Sequence, residues 1–140
     1  METQIKKCFH PLTQLKLRNG KIKYMKDIAL GDVLINNSVV EAVMKIDNRE
    51  KTPLFQIERE GVNSTDIFVT GSHLVFEKER NDFIKVEHYH KAILSEVKTD
   101  WFSCLITSNH EIQIGKEIFW DWEDHFIKTQ PTMTMNWLTV

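Results

Sequence analysis

Residues 8–20 read Cys8-Phe9-His10-Pro11-Leu12-Thr13-Gln14-Leu15-Lys16-Leu17-Arg18-Asn19-Gly20, and residues 27–34 read Asp27-Ile28-Ala29-Leu30-Gly31-Asp32-Val33-Leu34. Leu15 and Leu17 alternate with polar residues up to an Asn-Gly pair, which favours the positive φ angles of a tight hairpin turn, and the alternation then resumes at Ile22 and Tyr24. The pattern predicts a β-hairpin, with the Cys8 thiol at the mouth of a small sheet.

Short runs of β-branched and aromatic residues, separated by Asn, Gly, Asp and Ser, continue along the chain. Many short strands with frequent turns predict an all-β fold. Residues 88–97 are the one segment for which we consider a helix, although their apolar spacing is poor. The predicted strands are 13–17, 21–24, 33–36, 39–46, 54–58, 66–69, 74–77, 83–87, 101–106, 111–114 and 117–120.

Composition and charge set the broad class of protein. The chain has 140 residues, of which 41% are hydrophobic, enough to bury the core of one domain. Its formal net charge is −2 and it has no basic run, so we expect no nucleic-acid partner. No apolar stretch reaches the roughly 18 residues of a membrane span, and no secretory signal is recognised at the N-terminus. We expect a monomer.

Three segments together resemble the Hint superfamily, the self-processing domains of inteins and of hedgehog C-terminal regions. The opening stretch resembles the first Hint block, because a Cys precedes Thr-x-Leu-x-Leu, an Asn-Gly turn and a Gly-Asp pair. The resemblance covers residues 8–124 and implies a Hint fold of many short strands with pseudo-two-fold symmetry. The two later segments are Val69-Thr70-Gly71-Ser72-His73-Leu74 and Leu105-Ile106-Thr107-Ser108-Asn109-His110-Glu111-Ile112-Gln113-Ile114-Gly115.

The resemblance also implies how the chain is divided. Residues 1–7 are expected to be a flanking segment upstream of a cleavage site, and residues 8–127 the Hint-like domain. Residues 128–140 shift in composition to Thr, Met and Pro and are interpreted as a C-terminal tail. No internal linker divides the rest of the chain.

The expected chemistry is an N-to-S acyl shift at the Lys7-Cys8 bond. The Cys8 thiol would attack the carbonyl of Lys7, and the departing amine would be the backbone nitrogen of Cys8. The thiolate is the reactive form and is scarce near pH 7, so a neighbouring group must assist. The domain would act once, as a cysteine-dependent self-cleaving enzyme that needs no cofactor, with its own upstream flank as substrate.

The resemblance assigns the assisting role to His73, which would protonate the leaving nitrogen. Thr70 lies three residues earlier, and residues i and i+3 of a turn that leaves a strand converge on one point. An imidazole whose ordinary pKa is near 6.5 can donate a proton in one step and accept one in the next. By resemblance, Asn109 and His110 would line the same cleft as oxyanion donors or as a base.

Cysteines and histidines leave three alternatives open. Cys104 is either a buried strand residue or a participant in the reaction, as its position near an intein Asp or Cys allows. Two cysteines are too few for a disulfide scaffold, and both are interpreted as thiols, with a Cys8–Cys104 bridge as the alternative. Zinc binding by His10, His88, His90 and His125 is not expected, because no CxxC or HxxxH spacing occurs. Asp32 is interpreted as a turn residue.

The chain departs from splicing inteins near its end. Those inteins end their last strand in His-Asn, because Asn cyclisation releases the C-terminal side, whereas residues 118–121 read Ile118-Phe119-Trp120-Asp121. Asn136 lies between Met135 and Trp137, so protein splicing is not expected. We expect N-terminal cleavage instead, with the thioester hydrolysed by water or passed to a thiol or another nucleophile.

Residues 119–126, Phe119-Trp120-Asp121-Trp122-Glu123-Asp124-His125-Phe126, are interpreted as a structural clasp with tryptophans inward and acids in water. The alternative for this stretch is a docking face. Two other functions therefore stay open: an inactive Hint scaffold that binds a protein partner, and a β-rich structural module in which Cys8 has no special reactivity.

Overall fold

The computed structural model describes residues 6–123, and these residues form an all-β domain of eleven short strands without an α-helix. The flanking residues 1–5, the end of the clasp at residues 124–126 and the tail 128–140 lie outside the described residues, as does the predicted domain boundary at 127. Three 3-10 turns occur at Met25–Asp27, Val62–Ser64 and Val86–His88. The strands are β1 (Gln14–Lys16), β2 (Ile22–Tyr24), β3 (Val40–Asp47), β4 (Leu54–Ile57), β5 (Ile67–Thr70), β6 (Leu74–Glu77), β7 (Asp82–Lys85), β8 (Ala92–Leu94), β9 (Trp101–Thr107), β10 (Glu111–Ile114) and β11 (Glu117–Trp120).

The strands pair antiparallel in four small sheets, ordered β1-β2, β10-β11-β6-β7, β3-β9 and β5-β4-β8. The N-terminal segment joins two of them, because Phe9 forms a bridge with Val69 on β5 and another with Ser103 on β9. Cys8, one residue earlier, is therefore held inside the domain between β5 and β9. No helix among the described residues has the length and apolarity that a membrane crossing requires.

Two parts of the chain have the same local fold. The first consists of β1, β2 and the 3-10 turn Met25–Asp27, and the second of β6, β7 and the 3-10 turn Val86–His88. Each hairpin runs into its 3-10 turn, and three backbone hydrogen bonds match. The bond from Thr13 N to His10 O (3.0 Å) in the first part corresponds to that from His73 N to Thr70 O (3.2 Å) in the second. In the same way, Met25 N to Thr13 O (2.6 Å) corresponds to Val86 N to His73 O (2.8 Å). The third pair is Lys26 N to Pro11 O (3.0 Å) and Glu87 N to Gly71 O (2.9 Å).

This repeat is the pseudo-two-fold symmetry that the resemblance implies. The all-β prediction is confirmed.

The long strands β3 and β9 pair with each other along seven positions, from Val40↔Thr107 to Asp47↔Trp101, with a register shift near the start. The hydrophobic core packs between the sheets and includes both cysteines. Its largest fully buried side chains include Phe9, Phe102, Phe119, Leu15, Met25, Leu34 and Leu105.

The predicted Asn-Gly hairpin forms, with one difference in its turn. Gly20 has a positive φ of 91°, but Asn19 is not among the residues with positive φ. The Asn19 side chain instead accepts a hydrogen bond from Lys21 N at 2.9 Å, and Gly20 N donates to Leu17 O at 2.9 Å. A two-residue type I′ turn needs a positive φ at both of its residues, whereas the loop here is longer and needs a positive φ only at its last residue, Gly20.

Two segments differ from their predicted structure. Residues 33–36 form only isolated bridges, Leu17↔Leu34 and Val33↔Val39, because the chain turns back at once through Asn37, whose φ is 72°. Residues 88–97 contain no α-helix. They comprise the end of a 3-10 turn and the short strand β8, which pairs with β4.

Candidate active site

The Lys7-Cys8 peptide bond is buried beside β5. Cys8 is fully buried, and its backbone N–H donates to the hydroxyl oxygen of Thr70 at 3.1 Å. In return the backbone N–H of Thr70 donates to the Cys8 carbonyl at 3.0 Å. The residue predicted to assist the reaction therefore holds both polar backbone atoms of the predicted nucleophile.

The Thr70 hydroxyl also binds the chain on the other side of Lys7. Its proton is donated to the carbonyl of Lys6 at 2.6 Å, and the Ser72 hydroxyl donates to the same carbonyl at 2.7 Å. One hydroxyl thus contacts the residue before Lys7 and the residue after it. The main chain is therefore held on both sides of Lys7, which is the kind of positioning that a group-transfer reaction requires.

A tight turn explains why Thr70 and His73 meet at one place. The turn follows β5 and is closed by a hydrogen bond from His73 N to Thr70 O at 3.2 Å. Its second residue is Gly71, where a Cβ would lie 2.7 Å from a ring carbon of Phe55. The Thr-Gly-Ser-His sequence therefore combines two polar side chains at i and i+3 with a residue small enough for the packing.

His73 is fully buried, and its contacts define its tautomer. Its Nε2 lies 2.6 Å from the carbonyl oxygen of Trp120. Because a carbonyl oxygen only accepts hydrogen bonds, Nε2 carries the proton, and in the neutral ring Nδ1 keeps a free lone pair. Nδ1 is also buried and has no regular hydrogen bond within residues 6–123. The ring packs against Phe9 and Phe119, with centroid distances of 4.5 and 5.7 Å.

Burial favours the neutral form of both Cys8 and His73. It lowers the pKa of His73 from 6.5 to about 4, against the opposing effect of the Trp120 carbonyl. The Lys7 charge lowers that pKa further, and the Lys7 backbone raises it slightly. Burial also raises the pKa of the Cys8 thiol from 9.0 to about 12, although the Lys6 charge and the Lys7 backbone lower it. At neutral pH the site holds a thiol and an uncharged imidazole.

Cys104 lies on β9, opposite Met44 of β3, and is fully buried. Burial raises its pKa well above the ordinary value, and Cys8, when ionised, would raise it further. Both cysteines are free thiols, so the bridge considered from the sequence is not formed. The structure brings Cys104 close to the nucleophile, while its burial favours the interpretation as a packing residue.

Asn109 is not directed at Cys8. Its side-chain oxygen accepts hydrogen bonds from the Ser38 hydroxyl at 2.6 Å and from Glu111 N at 3.0 Å, within an exposed turn. These contacts hold the turn between β9 and β10. Its predicted part in the chemistry stays a prediction, and the contacts favour a structural role.

His110 belongs to a second cluster that reaches His73 through Trp120. Its Nδ1 lies 3.1 Å from a carboxylate oxygen of Asp121, and its ring stacks on the Trp120 ring at 5.1 Å and 19°. The Trp120 carbonyl in turn holds His73. Trp120 therefore lies between His110 and the His73 imidazole, and His110 supports the strand end that contacts His73.

Asp121 corrects the interpretation of the clasp, in which the acids were expected to face water. Its carboxylate is fully buried and accepts hydrogen bonds from Thr107 N and Glu123 N, both at 2.9 Å. The alternation of a β-strand could have indicated that Asp121 is buried, because residues at i, i+2 and i+4 lie on the same face of a strand. Glu117, Phe119 and Asp121 follow this spacing, and all three are buried. Sequence reasoning also missed Ser72 and Lys6.

The remaining sequence candidates have structural contacts. Asp32 pairs with Lys23 at 2.9 Å and accepts a hydrogen bond from Ala29 N, as a turn residue does. His90 lies 3.6 Å from Glu77, and His88 is an exposed side chain beside Glu87. Within residues 6–123 no three His, Cys, Asp or Glu side chains are arranged to hold a metal ion. His125 lies outside the described residues.

Comparison with known proteins gives matches in structure alone. No protein-family model matches the chain, and no curated protein matches it. A crystal structure of the gp41-1 intein covers 84% of this chain and 100% of its own, with 14% identity and a TM-score of 0.58. The DnaB intein from Synechocystis sp. PCC 6803 covers 83% and 99%, with 10% identity and a TM-score of 0.63.

A third match is the Msm DnaB1 intein splicing domain bound with zinc, at 16% identity and a TM-score of 0.54. It covers 76% of this chain and 93% of its own. These three structures are inteins, and their own chains are covered almost completely. This chain therefore has the fold seen in inteins.

Proposed function

We propose that this domain cleaves its own chain at the Lys7-Cys8 bond through an N-to-S acyl shift. The observation that carries the proposal is the double contact of Thr70, whose hydroxyl accepts the Cys8 N–H and donates to the Lys6 carbonyl. A buried peptide bond held in this way, with a thiol on one side and the lone pair of an imidazole in the same pocket, is suited to intramolecular attack.

The first step needs no group from outside the domain. The Cys8 thiol proton passes to Nδ1 of His73, the sulfur bonds to the Lys7 carbonyl carbon, and the bond from that carbon to the Cys8 nitrogen breaks. The nitrogen takes the proton back from the imidazolium and becomes a free amine, so atoms and charge balance. The Trp120 carbonyl favours this use of Nδ1, because it retains the proton on Nε2.

The second step consumes the thioester. Water releases a carboxylate at Lys7 and regenerates the thiol, whereas an added thiol or hydroxylamine takes over the acyl group. The uphill first step and the pKa of about 12 for the Cys8 thiol favour slow turnover that an added nucleophile accelerates. Splicing is not part of the proposal, because residues 118–121, at the end of the last strand, contain no His-Asn pair.

Incubation of the full chain with dithiothreitol or hydroxylamine, followed by intact mass, tests the proposal. We expect loss of residues 1–7 in the wild type and no loss in Cys8→Ala. Cys104→Ala separates the two cysteines, and if Cys104 only packs, cleavage continues in that variant. An unchanged wild-type mass at every nucleophile concentration would contradict the proposal.

A second candidate function is a Hint scaffold that no longer reacts and binds a protein partner instead. One observation favours it: at neutral pH both the thiol and the imidazole are uncharged and fully buried. The half-buried rings of Trp120 and Trp122 would then contribute to the contact surface. The same mass experiment separates the two functions, because a scaffold leaves the chain intact.

A further inference from the structure

A buried lysine lies two residues upstream of the proposed nucleophile. The side chain of Lys6 is only 8% exposed. Lysine is almost never buried to this extent unless its charge is paired, because removing an ammonium group from water is costly. Lys6 belongs to the segment that leaves in the proposed reaction, so the domain has a buried site for a side chain of its own substrate.

The site is formed at the end of the β3–β9 ladder. The Lys6 ammonium donates to the backbone carbonyl of Asp47 at 2.8 Å and lies 3.4 Å from a carboxylate oxygen of Glu50. It is also 6.0 Å from the centre of the Phe102 ring. We call these three groups, the Asp47 carbonyl, the Glu50 carboxylate and the Phe102 ring, the Lys6 subsite. Carbonyl, carboxylate and ring face all favour a cation.

The backbone of the same residue is held independently. The Lys6 carbonyl accepts the hydroxyls of Thr70 and Ser72, so residue 6 is fixed at its main chain by the β5–β6 turn and at its side chain by β3 and β9. Main-chain contacts of this kind accept any residue. The Lys6 subsite is what distinguishes one upstream sequence from another.

We propose that the Lys6 subsite makes the domain specific for a basic residue at the second position upstream of Cys8. The inference rests on the proposed cleavage function, for which it names the substrate class. Lys6 acts as a positioning residue: with its ammonium bound, the Lys7 carbonyl carbon stays in register with the Cys8 sulfur. The positive charge also assists formation of the thiolate in a pocket that otherwise disfavours it.

Cleavage rates of full-length variants test the specificity. We expect Lys6→Met to lower the rate constant of hydroxylamine-induced cleavage by roughly 10- to 100-fold, since it retains the chain length but loses the charge. Lys6→Arg retains the charge with a larger head group, and it should recover most of that loss. Lys16→Met is the matched control, because it removes the same charge from an exposed position on β1 and should cleave at the wild-type rate.

Substitution of Glu50, which pairs with Lys6 in the subsite, gives a second test. Glu50→Gln should also slow cleavage, and it should add little when combined with Lys6→Met, because both variants remove the same interaction. Equal rates for wild type and Lys6→Met would overturn the inference while leaving the cleavage function intact. Fully additive effects of Lys6→Met and Glu50→Gln would also count against it.

Hydrogen exchange separates failure of the inference from failure of the cleavage function. In a Cys8→Ala background, which does not cleave, Lys6→Met should raise the exchange rates of the amides of residues 7–9 by about tenfold or more, and Lys16→Met should leave them unchanged. If no variant cleaves but this difference is found, the subsite is supported and the chemistry is not. If exchange is the same in all variants, the Lys6 subsite does not hold the flank and the inference fails.

Discussion

The turn at residues 10–13 and the turn at residues 70–73 have the same backbone hydrogen bonds, but the positions of their hydroxyl and imidazole side chains are exchanged. Each is closed by an i+3 hydrogen bond and each receives a hydrogen bond from the first residue of a 3-10 turn. The first turn has His10 and Thr13 where the second has Thr70 and His73. The order of hydroxyl and imidazole is thus exchanged between the two halves of the pseudo-symmetric domain.

Their contacts differ more than their shapes. In the first turn the Thr13 hydroxyl donates to the His10 carbonyl at 2.7 Å, and Nδ1 of His10 accepts from Leu12 N at 3.1 Å, so both side chains bind their own turn. In the second turn Thr70 and His73 bind residues 6–8 and Trp120. The two turns share a backbone arrangement, and the segments packed against each turn determine which one forms the candidate site.

Substitution at the equivalent positions of the two turns should have the largest difference in effect. His73→Gln retains a donor for the Trp120 carbonyl but has no basic nitrogen, so we expect the cleavage rate constant to fall by about 10²- to 10⁴-fold. Thr13→Val should change it by less than about threefold, since the Thr13 hydroxyl hydrogen-bonds to the His10 carbonyl of its own turn. Comparable losses in both variants, measured by intact mass, would contradict the division of roles.

Substitutions in the hydrophobic core should differ less between the two halves than substitutions in the two turns. Met25 and Val86 begin the equivalent 3-10 turns and both are fully buried. Met25→Ala removes more volume and should lower the free energy of unfolding by about 2–5 kcal/mol, whereas Val86→Ala removes two methyl groups and should cost about half as much. Urea unfolding at one pH gives both values. A larger loss for Val86→Ala would show that the second half is packed more tightly.

The buried His73 imidazole should make the free energy of unfolding depend on pH, an effect that Thr13 cannot produce because its side chain does not titrate. Because the pKa of His73 is about 4 in the folded chain, against an ordinary value of 6.5, the unfolded chain binds more protons between these two pH values. The stabilisation from neutral His73 is therefore complete above pH 6.5 and is lost as the pH falls to 4, by an amount on the order of 3 kcal/mol.

The measurement is the difference in unfolding free energy between wild type and His73→Gln, taken at several pH values. Glu117, whose pKa is raised to about 7 by burial and by Glu60, titrates in both proteins and cancels in this difference. We expect the difference to shrink between pH 7 and pH 4. A difference that stays constant over this range would mean that His73 is more accessible to protons than its burial indicates.

Loss of the Thr70 hydroxyl should slow cleavage less than loss of the His73 imidazole. Thr70→Val retains the shape but loses both the acceptor for Cys8 N–H and the donor to the Lys6 carbonyl, which Ser72 still binds. We expect cleavage to slow by about 10- to 100-fold. Thr70→Ser should recover most of the rate, and equal rates in the Ser and Val variants would show that the hydroxyl has no positioning role.

Much of this fold was accessible from local patterns. The Asn19-Gly20 hairpin, the short strands and the Thr-x-x-His turn each follow from the conformations of a few neighbouring residues. The failures have a common cause, which is that long-range packing overrides weak local preference. Residues 88–97 pair with β4 as strand β8, and residues 33–36 are too close to the turn at Asn37 to extend.

The candidate site shows the same division. The resemblance to the Hint blocks singles out Cys8, Thr70 and His73, and these residues supply the thiol, the hydrogen-bonding partner and the proton carrier that acyl transfer to sulfur needs. Asp121 and Ser72 were missed, since their importance depends on which backbone groups they meet. Asp121 directly follows β11, in line with the buried face of that strand, and from there it binds Thr107 N and Glu123 N.

The sequence alone predicted an all-β chain with a candidate nucleophile ahead of its first hairpin and an imidazole in a turn some sixty residues later. Folding established the rest: the neutral state of both groups, the tautomer of His73 imposed by the Trp120 carbonyl, and the burial of Lys6 against Asp47 and Glu50. The physical reason is that pKa values and tautomers depend on desolvation and on partners far away in the chain, which no local pattern encodes.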